Sequence, residues 1–121
     1  MANIPPLSLA IIGSRSFKDY HLLKSTIDDF IKEHQVREIV SGGAIGADSL
    51  AEIYARENNI KMTVLKPDWK AYGKSAGFLR NTDIINESDV VIAFWDGRSP
   101  GTKNSIETAR KQDKPVFIIK F

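Results

Sequence analysis

The sequence predicts an α/β fold of three layers, in which a five-stranded parallel sheet is covered by helices on both faces. Five short apolar runs alternate with segments whose apolar residues recur at helical spacing, which is the pattern of repeated βαβ units. Several of these runs are apolar without interruption, as in strands buried on both faces. The 121 residues fit one domain, and no repeat or linker divides them, so a single domain over 1–121 is expected.

The predicted strands are bounded by residues that end regular structure. Pro5 and Pro6 precede the first apolar run, which ends at Gly13, and Pro67 follows the third run. The fourth run, Val-Val-Ile-Ala-Phe, is the most continuous. The predicted strands lie at 7–12, 38–41, 62–65, 90–94 and 115–119.

Helices are predicted between consecutive strands. The first begins after Asp19, a residue type that caps helix N-termini. The second covers about 47–58, and a loop over 66–75 precedes the third. The last begins at Thr102 or Asn104. Right-handed crossovers of this length give a doubly wound sheet in the strand order 3-2-1-4-5.

The charge balance argues against a polyelectrolyte partner. With 17 basic and 15 acidic residues, the formal charge is only +2, which is not the footprint of a nucleic-acid or anionic-membrane surface. Nucleic acid is therefore not expected as a partner. The chain contains no cysteine, which excludes disulfides and thiolate chemistry. Its two histidines, His21 and His34, are too far apart in the sequence to bind a metal from one helix. We expect no metal and no cofactor.

No targeting or membrane segment is recognisable. Residues 1–13 lack the basic start and the small-residue cleavage site of a signal peptide. No apolar stretch approaches the roughly 20 residues that a membrane-spanning helix requires. No membrane partner and a cytoplasmic location are therefore expected.

Glycine-rich loops follow the first, second and fourth strands. In a doubly wound sheet these loops meet at the edge where ligands bind, because the strand order reverses between strands 1 and 4. Glycine before a helix leaves the first backbone N–H groups accessible, and these groups attract phosphate together with the helix dipole. The alternative is that the glycines only turn the chain. The candidate ligand-binding residues in these loops are Gly13, Ser14, Arg15, Ser41, Gly42, Gly43, Ala44, Gly46, Asp48, Gly97, Gly101 and Thr102.

Basic residues concentrate on the segments that follow strands. Arg15 and Arg80 are the best candidates for binding phosphate, since the guanidinium group matches phosphate geometry. Arg80 could instead pair with Asp83 on its own helix. The lysines in the loop over 66–75 are interpreted as ordinary solvated side chains.

Three carboxylates are candidates for chemistry, each with a structural alternative. Asp48 could receive a ribose hydroxyl, or it could cap the helix that follows. Asp96 could be an acid or base, or it could form a turn with Gly97. Glu107 could be an acid or base, or it could complete a capping box with Asn104. The sequence indicates no nucleophilic triad and contains no Walker A loop.

Aromatic residues are placed near the same edge. Trp95 ends the fourth strand, and Trp69, Tyr72 and Phe78 lie in or just after the long loop. Such rings can stack on a nucleotide base, or they can close the end of the core.

Taken together, these motifs resemble those of the SLOG superfamily of Rossmann-like domains, and within it the YspA/YpsA-related branch. The resemblance extends over nearly the whole chain, from residue 11 to about 115. The residues that carry it are Gly13-Ser14-Arg15, Ser41-Gly42-Gly43-Ala44, Gly46-Ala47-Asp48, Gly77, Arg80-Asn81, Trp95-Asp96-Gly97 and Gly101-Thr102.

The superfamily includes the LOG phosphoribohydrolases, which cleave the base from a nucleoside monophosphate, and the DprA proteins, which bind single-stranded DNA. The resemblance therefore implies a nucleotide-like ligand, with Arg80 and Asn81 at the binding site, and it makes a homodimer an expectation. One departure weakens LOG-type activity. Ser105 stands where the LOG enzymes carry a glutamate, and Glu107 lies two residues later, about 200° around a helix.

These inferences predict a domain that binds a nucleotide or a nucleotide-derived phosphorylated small molecule, as a sensor or accessory domain. The alternative is a hydrolase that cleaves an N-glycosidic or phosphate bond of such a ligand, with Asp96 or Glu107 as acid or base. DprA-like binding of single-stranded DNA is the least favoured function, because the net charge is small and no recognition helix is evident.

Overall fold

A computed structural model describes residues 5–121. Residues 1–4, which belong to the start examined for a signal peptide, lie outside the described residues. The strands are β1 (Leu7–Gly13), β2 (Val36–Ser41), β3 (Lys61–Val64), β4 (Val90–Trp95) and β5 (Val116–Lys120), and the helices are α1 (Tyr20–Glu33), α2 (Ala47–Glu57), α3 (Trp69–Tyr72), α4 (Ala76–Asn86) and α5 (Pro100–Lys111), with a 3₁₀ turn at Gly73–Ser75.

The five strands form one parallel sheet in the order β3-β2-β1-β4-β5. The predicted fold class and strand order are therefore confirmed. The direction of winding reverses between β1 and β4, where Gly13 is paired in register with Phe94. The segments that leave these two strands consequently begin side by side at the carboxyl edge of the sheet.

Each face of the sheet carries its own buried apolar layer. Helices α1 and α2 pack on one face and α4 and α5 on the other. Strand β1 contributes Leu9 and Ile11 to the first layer and Ala10 and Ile12 to the second. This alternation explains why its sequence is apolar without interruption.

Two aspartates cap helices near the carboxyl edge. The Asp19 carboxylate accepts a hydrogen bond of 3.0 Å from the N–H of Leu22, which confirms it as the cap of α1. Asp68 accepts one of 3.1 Å from Ala71 and caps α3, a single turn inside the loop predicted over 66–75. One turn contains too few residues for an apolar period to be recognised.

The last helix starts earlier than predicted. Ser99 is its N-cap and Pro100 its first residue, whereas the prediction placed the start at Thr102 or Asn104. Proline is favoured in the first turn because that position needs no N–H donor. Asn104 consequently lies inside α5, and the capping box proposed for it with Glu107 is wrong. Within residues 5–121, no helix has both the length and the apolar composition that crossing a bilayer requires.

The chain after β1 approaches the start of α2 closely at Gly46. This residue has a φ of +88°, which side chains strongly disfavour. A Cβ atom here would also collide with the carbonyl oxygen of Ser14 and lie 2.7 Å from the Cα of Arg15. Glycine is therefore required both for the backbone angle and for the contact that holds these two segments together.

We expect Gly46→Ala to lower the free energy of unfolding by about 2 kcal/mol or more, because strain and steric overlap add. Gly73→Ala is the matched control, since Gly73 also has a positive φ, of +54°, but no heavy atom within 4 Å of the added methyl. It should cost less than Gly46→Ala, because it adds only the backbone strain of about 1–3 kcal/mol and no steric overlap. Urea denaturation measures both, and equal losses would contradict the close contact at Gly46.

Candidate functional site

A cavity of about 600 Å³ opens at the carboxyl edge of the sheet, beside the ends of β1 and β4. Its walls come from the segments after β1, β2 and β4 and from the region of α3 and α4. This volume lies in the range of small-molecule binding sites.

Many of the residues singled out in the sequence line this one cavity. They come from loops that are distant in the chain and that the parallel sheet brings to the same edge. Those in the lining are Gly13, Ser14, Arg15, Ala44, Asp48, Arg80, Asn81, Gly101 and Thr102. Those outside it are Ser41, Gly42, Gly43, Gly46, Gly97, Asp96 and Glu107.

The N-terminus of α5 presents unpaired backbone donors to the cavity. Because Pro100 has no N–H group, Gly101 and Thr102 carry the first two donors of the helix. Neither N–H has a hydrogen-bond partner in the part of the chain from residue 5 onward. Both residues line the cavity, so these donors and the helix dipole suit an anionic group.

The carboxylate of Asp96 holds the loop between β4 and α5. Asp96 Oδ1 accepts hydrogen bonds of 2.8 Å from the N–H groups of Ser99 and Arg98, and the Ser99 hydroxyl donates to both carboxylate oxygens. These bonds lower the pKa of Asp96 to about 2, and the Ser99 N–H contributes most. Asp96 is therefore ionised at neutral pH and is not among the residues that line the cavity, which does not suit a general acid.

Ser14 connects the loop after β1 with the loop after β4. Its hydroxyl oxygen accepts a hydrogen bond of 3.2 Å from the N–H of Asp96 and lies 2.9 Å from the hydroxyl oxygen of Ser99. Its own N–H donates to the carbonyl of Phe94 at 2.9 Å. Ser14 thus holds the segments that leave β1 and β4 together beside the cavity.

Asp48 is the only carboxylate among the residues that line the cavity, and it is 7% exposed. Its Oδ2 accepts a hydrogen bond of 3.1 Å from the N–H of Ala44. Burial raises the pKa of Asp48, while the Ala44 N–H, the Ser41 hydroxyl, the positive charge of Arg80 and the Gly42 N–H oppose that shift. The N-cap of α2 is Gly46, so the interpretation of Asp48 as the helix cap is wrong.

Arg80 joins α4 to the ends of β2 and β3. Its Nη1 donates to the carbonyl of Gly42 at 2.6 Å and to that of Leu65 at 3.5 Å, and its Nε donates to Asn81 Oδ1 at 3.1 Å. A Cβ at Gly42 would lie 2.8 Å from the guanidinium carbon, so only glycine leaves room for it. Arg80 and Asp83 form no salt bridge within residues 5–121. The alternative in which Arg80 pairs with Asp83 on its own helix is therefore wrong.

Two guanidinium groups face the cavity close to one another. Burial lowers the pKa of Arg80, Asp48 raises it, and the positive charge of Arg15 lowers it further. Arg15 is exposed, and its side chain forms no hydrogen bond or salt bridge with the described part of the chain. Lys74, interpreted from the sequence as an ordinary solvated lysine, also lines the cavity.

The glycine loop after β2 is occupied by the protein itself. Ser41 is fully buried, and its hydroxyl donates to the carbonyl of Ile11 at 2.7 Å instead of facing the cavity. The N–H of Ala44 is taken by Asp48. This loop therefore positions α2 and Arg80, and its Ala44 N–H is not available to a ligand.

The position that corresponds to the LOG glutamate lies in the cavity wall. Ser105 lines it, and the Ser105 hydroxyl donates to the carbonyl of Gly101 at 3.3 Å. Glu107 is exposed on the other side of α5, where Lys103 lies 4.0 Å away. No acid or base therefore replaces the missing glutamate at this wall.

Two aromatic side chains form an aromatic wall of the same cavity. Trp69 is 57% exposed and Phe78 50% exposed, and both line the cavity. Trp95 behaves differently, because its indole N–H donates to the Ser99 carbonyl at 3.2 Å and the ammonium of Lys120 lies 5.6 Å from its ring. The sequence placed all these aromatics at one edge but could not separate those that face the cavity from those that close the core.

Comparison with known proteins identifies relatives of this chain. Residues 8–72 match the family model YAcAr, described as the YspA, cpYpsA-related SLOG family. The chain is also 36% identical over 118 residues to the Gene 61 protein of Mycobacterium phage D29, in an alignment that covers 88% of this chain and 91% of that protein.

Two solved structures of DNA processing protein A have a similar fold. The first comes from Helicobacter pylori and is described in connection with a single-stranded DNA binding mode. It has a TM-score of 0.73 and 28% sequence identity, and the match covers 93% of this chain and 65% of that one. The one from Streptococcus pneumoniae has a TM-score of 0.77 and 20% identity, over 96% of this chain and 51% of that one. The chain thus spans 65% of the Helicobacter pylori protein and 51% of the Streptococcus pneumoniae protein. Because the identity to the second is only 20%, that likeness shows a shared fold and nothing more.

We expect the side-chain carboxyl of Asp96 to titrate near pH 2 in the folded protein, because backbone N–H groups stabilise its charged form. Since its folded pKa is depressed, its contribution to stability is complete above pH 4 and is lost as the pH falls from about 4 to 2. Carboxyl ¹³C NMR measures the midpoint. Ser99→Ala retains the backbone donor and should keep the midpoint below the ordinary value, whereas a midpoint near 4 in the unmodified protein would refute these bonds.

Arg80→Ala is expected to lower the free energy of unfolding by about 1–3 kcal/mol, because the Gly42 carbonyl loses its donor and the Asp48 carboxylate loses a nearby positive charge. Arg15→Ala removes the same charge from an exposed side chain and should change it by about 0.5 kcal/mol or less. Urea denaturation of both variants tests this difference. A stability of Arg80→Ala equal to that of Arg15→Ala would mean that Arg80 does not hold the site together.

Proposed function

The chain belongs to the YAcAr family, the YspA, cpYpsA-related SLOG proteins, and from that premise we propose that it binds a nucleotide or a nucleotide-derived phosphorylated small molecule. The ligand would occupy the cavity at the carboxyl edge of the sheet. The function that follows is that of a sensor or accessory domain, which responds to its ligand and does not convert it.

The observation that carries this proposal is the group of unsatisfied positive charges and donors around the cavity. Among residues 5–121, Arg15 has no hydrogen-bond or salt-bridge partner, and its charge repels that of Arg80. The N–H groups of Gly101 and Thr102, at the start of α5, are likewise unpaired within this range. An anion placed among these groups would relieve the repulsion and satisfy the donors, and a phosphate group has the charge and the acceptor oxygens to do both.

The aromatic wall favours a ligand that is more than a phosphate. Trp69 and Phe78 line the cavity and are about half exposed, and covering such apolar surface is favourable. A nucleotide base is planar and can stack on such a ring. The cavity volume of about 600 Å³ is also larger than inorganic phosphate requires.

The arrangement of carboxylates favours binding over hydrolysis. Asp96 and Glu107, the residues considered as acid or base, both lie outside the cavity lining. Ser105 occupies the position of the LOG glutamate, and a serine bonded to the Gly101 carbonyl cannot replace a carboxylic acid in glycosidic cleavage.

Single-stranded DNA is a second candidate ligand. The likeness to the DNA processing protein A of Helicobacter pylori, at 28% identity, weakens the expectation that nucleic acid is not a partner. Tyr72 and Lys70 are exposed beside Trp69 on α3, where aromatic and basic side chains together suit a single strand. Such binding would be strongly dependent on salt.

We expect isothermal titration calorimetry to detect binding of at least one of the four common nucleoside 5′-monophosphates, and Arg15→Ala to weaken it about tenfold or more, because a charge-assisted contact to phosphate is lost. Lys18→Ala is the control, since Lys18 is an exposed cation near Arg15 that does not line the cavity. It should leave the affinity within about twofold.

Two results would contradict the proposal. Absence of binding by all four nucleotides, with tight and salt-dependent binding of an oligothymidylate, would favour the second candidate. Release of free base or phosphate from a bound nucleotide, followed by chromatography, would show that the protein is an enzyme and not a binding domain.

A further inference from the structure

A buried carboxylate lies in a cavity whose other charged groups are positive. Asp48 lines the cavity together with Arg15, Lys74 and Arg80, and it is 7% exposed. A carboxylate at such a place repels a bound phosphate, so its presence needs a separate explanation. The contacts of its two oxygen atoms provide one.

The two oxygens of Asp48 have different environments. Oδ2 accepts the hydrogen bond of 3.1 Å from Ala44, which ties the carboxylate to the loop before α2. The Ser41 hydroxyl and the Gly42 N–H lie close enough to this carboxylate to lower its pKa, but the Ser41 hydroxyl donates to the Ile11 carbonyl. Among the described residues no group makes a well-formed hydrogen bond to Oδ1, and Oδ1 is not one of their fully enclosed polar atoms that lack a partner. Oδ1 therefore retains access to the cavity, and a buried carboxylate oxygen with a free lone pair attracts an O–H donor.

We propose that Asp48 is a specificity-determining residue that accepts a hydrogen bond from a ribose hydroxyl of the ligand. The inference rests on the proposed function, because it assigns the sugar of a ligand whose phosphate lies at the start of α5. Asp48 thereby selects ribonucleotides over analogues in which the hydroxyl is missing. Without that hydroxyl, the charged oxygen would be covered by the ligand and left without a donor.

A cation bridging Asp48 and the phosphate is a less suitable explanation. Such an ion is usually held by one or two carboxylates together with phosphate oxygens. Here Asp48 is the only carboxylate in the lining, and Arg80 is close enough to influence its pKa. A divalent cation would lie near the Arg15 and Arg80 charges and be repelled by both.

The test compares three probes by calorimetry: adenosine 5′-monophosphate and its 2′-deoxy and 3′-deoxy analogues, each with and without EDTA. We expect at least one analogue to bind about tenfold or more weakly than the ribonucleotide, because a hydrogen bond to a charged group is lost. EDTA should have no effect on any of the three affinities.

Asp48→Asn isolates the role of the free oxygen. The asparagine oxygen can still accept from the Ala44 N–H, while its NH₂ group replaces the free acceptor. The preference for the ribonucleotide should fall to about threefold or less. Asp83→Asn removes the same charge from an exposed residue outside the cavity and should retain the full preference.

The outcomes separate the two proposals. If all three nucleotides bind the unmodified protein within about threefold of each other, the inference on Asp48 is overturned while the proposed function stands. A preference that persists in Asp48→Asn, or an affinity abolished by EDTA, also overturns it. If none of the three binds, the comparison is made with the guanosine, cytidine and uridine 5′-monophosphates and their deoxy analogues, and the proposed function and this inference fail together only if none of the four ribonucleotides binds. The comparison in the unmodified protein decides the matter even where a variant does not fold.

Discussion

The arrangement of the cavity depends on the side chain of Arg80, which connects three elements that are distant in the chain. Its guanidinium donates to the Gly42 carbonyl at the end of β2 and to the side chain of Asn81. The Asn81 amide in turn donates to the Gly101 carbonyl at 3.4 Å. A continuous series of hydrogen bonds therefore runs from β2 through α4 to the start of α5, where the backbone donors are free. The absence of a side chain at Gly42 is the condition for this series, because a Cβ there would take the space of the guanidinium.

The same side chain determines the electrostatic character of the cavity. Arg80 offsets the charge of Asp48, which leaves the positive charges of Arg15 and Lys74 uncompensated around the lining. The whole protein has a formal charge of only +2, so this local excess is invisible in the composition. Charges in a cavity of reduced dielectric also act more strongly on a ligand than the same charges spread over the surface. Net charge is therefore a poor guide to what this chain binds.

Features that depend on neighbouring residues could be predicted, and features that depend on side-chain direction could not. Apolar runs and right-handed crossovers predicted the sheet and its order, and capping chemistry predicted Asp19 at the start of α1. The glycine motifs pointed to the family that the chain belongs to. The roles of Asp48 and Asp96 were harder to predict, because their sequence context is equally consistent with a helix cap, a turn or a ligand-binding residue. Their roles follow from which N–H groups their carboxylates reach, and for Asp48 also from Arg80, which packing brings in from 32 positions along the chain.

The distribution of free donors limits the kind of ligand that the cavity can hold. Three loops carry glycine at the carboxyl edge, but the carboxylates of Asp48 and Asp96 bond amides in two of them. Under the proposed function, the N–H groups of Gly101 and Thr102 at the start of α5 bind one anionic group, and Arg15 lines the same cavity. The aromatic surface of Trp69 belongs to the α3 wall of the same cavity and contributes no charge. A ligand that fits the proposed function would carry negative charge at one end and a planar aromatic group at the other. Inorganic phosphate and simple sugar phosphates lack the second feature, and a nucleotide has both.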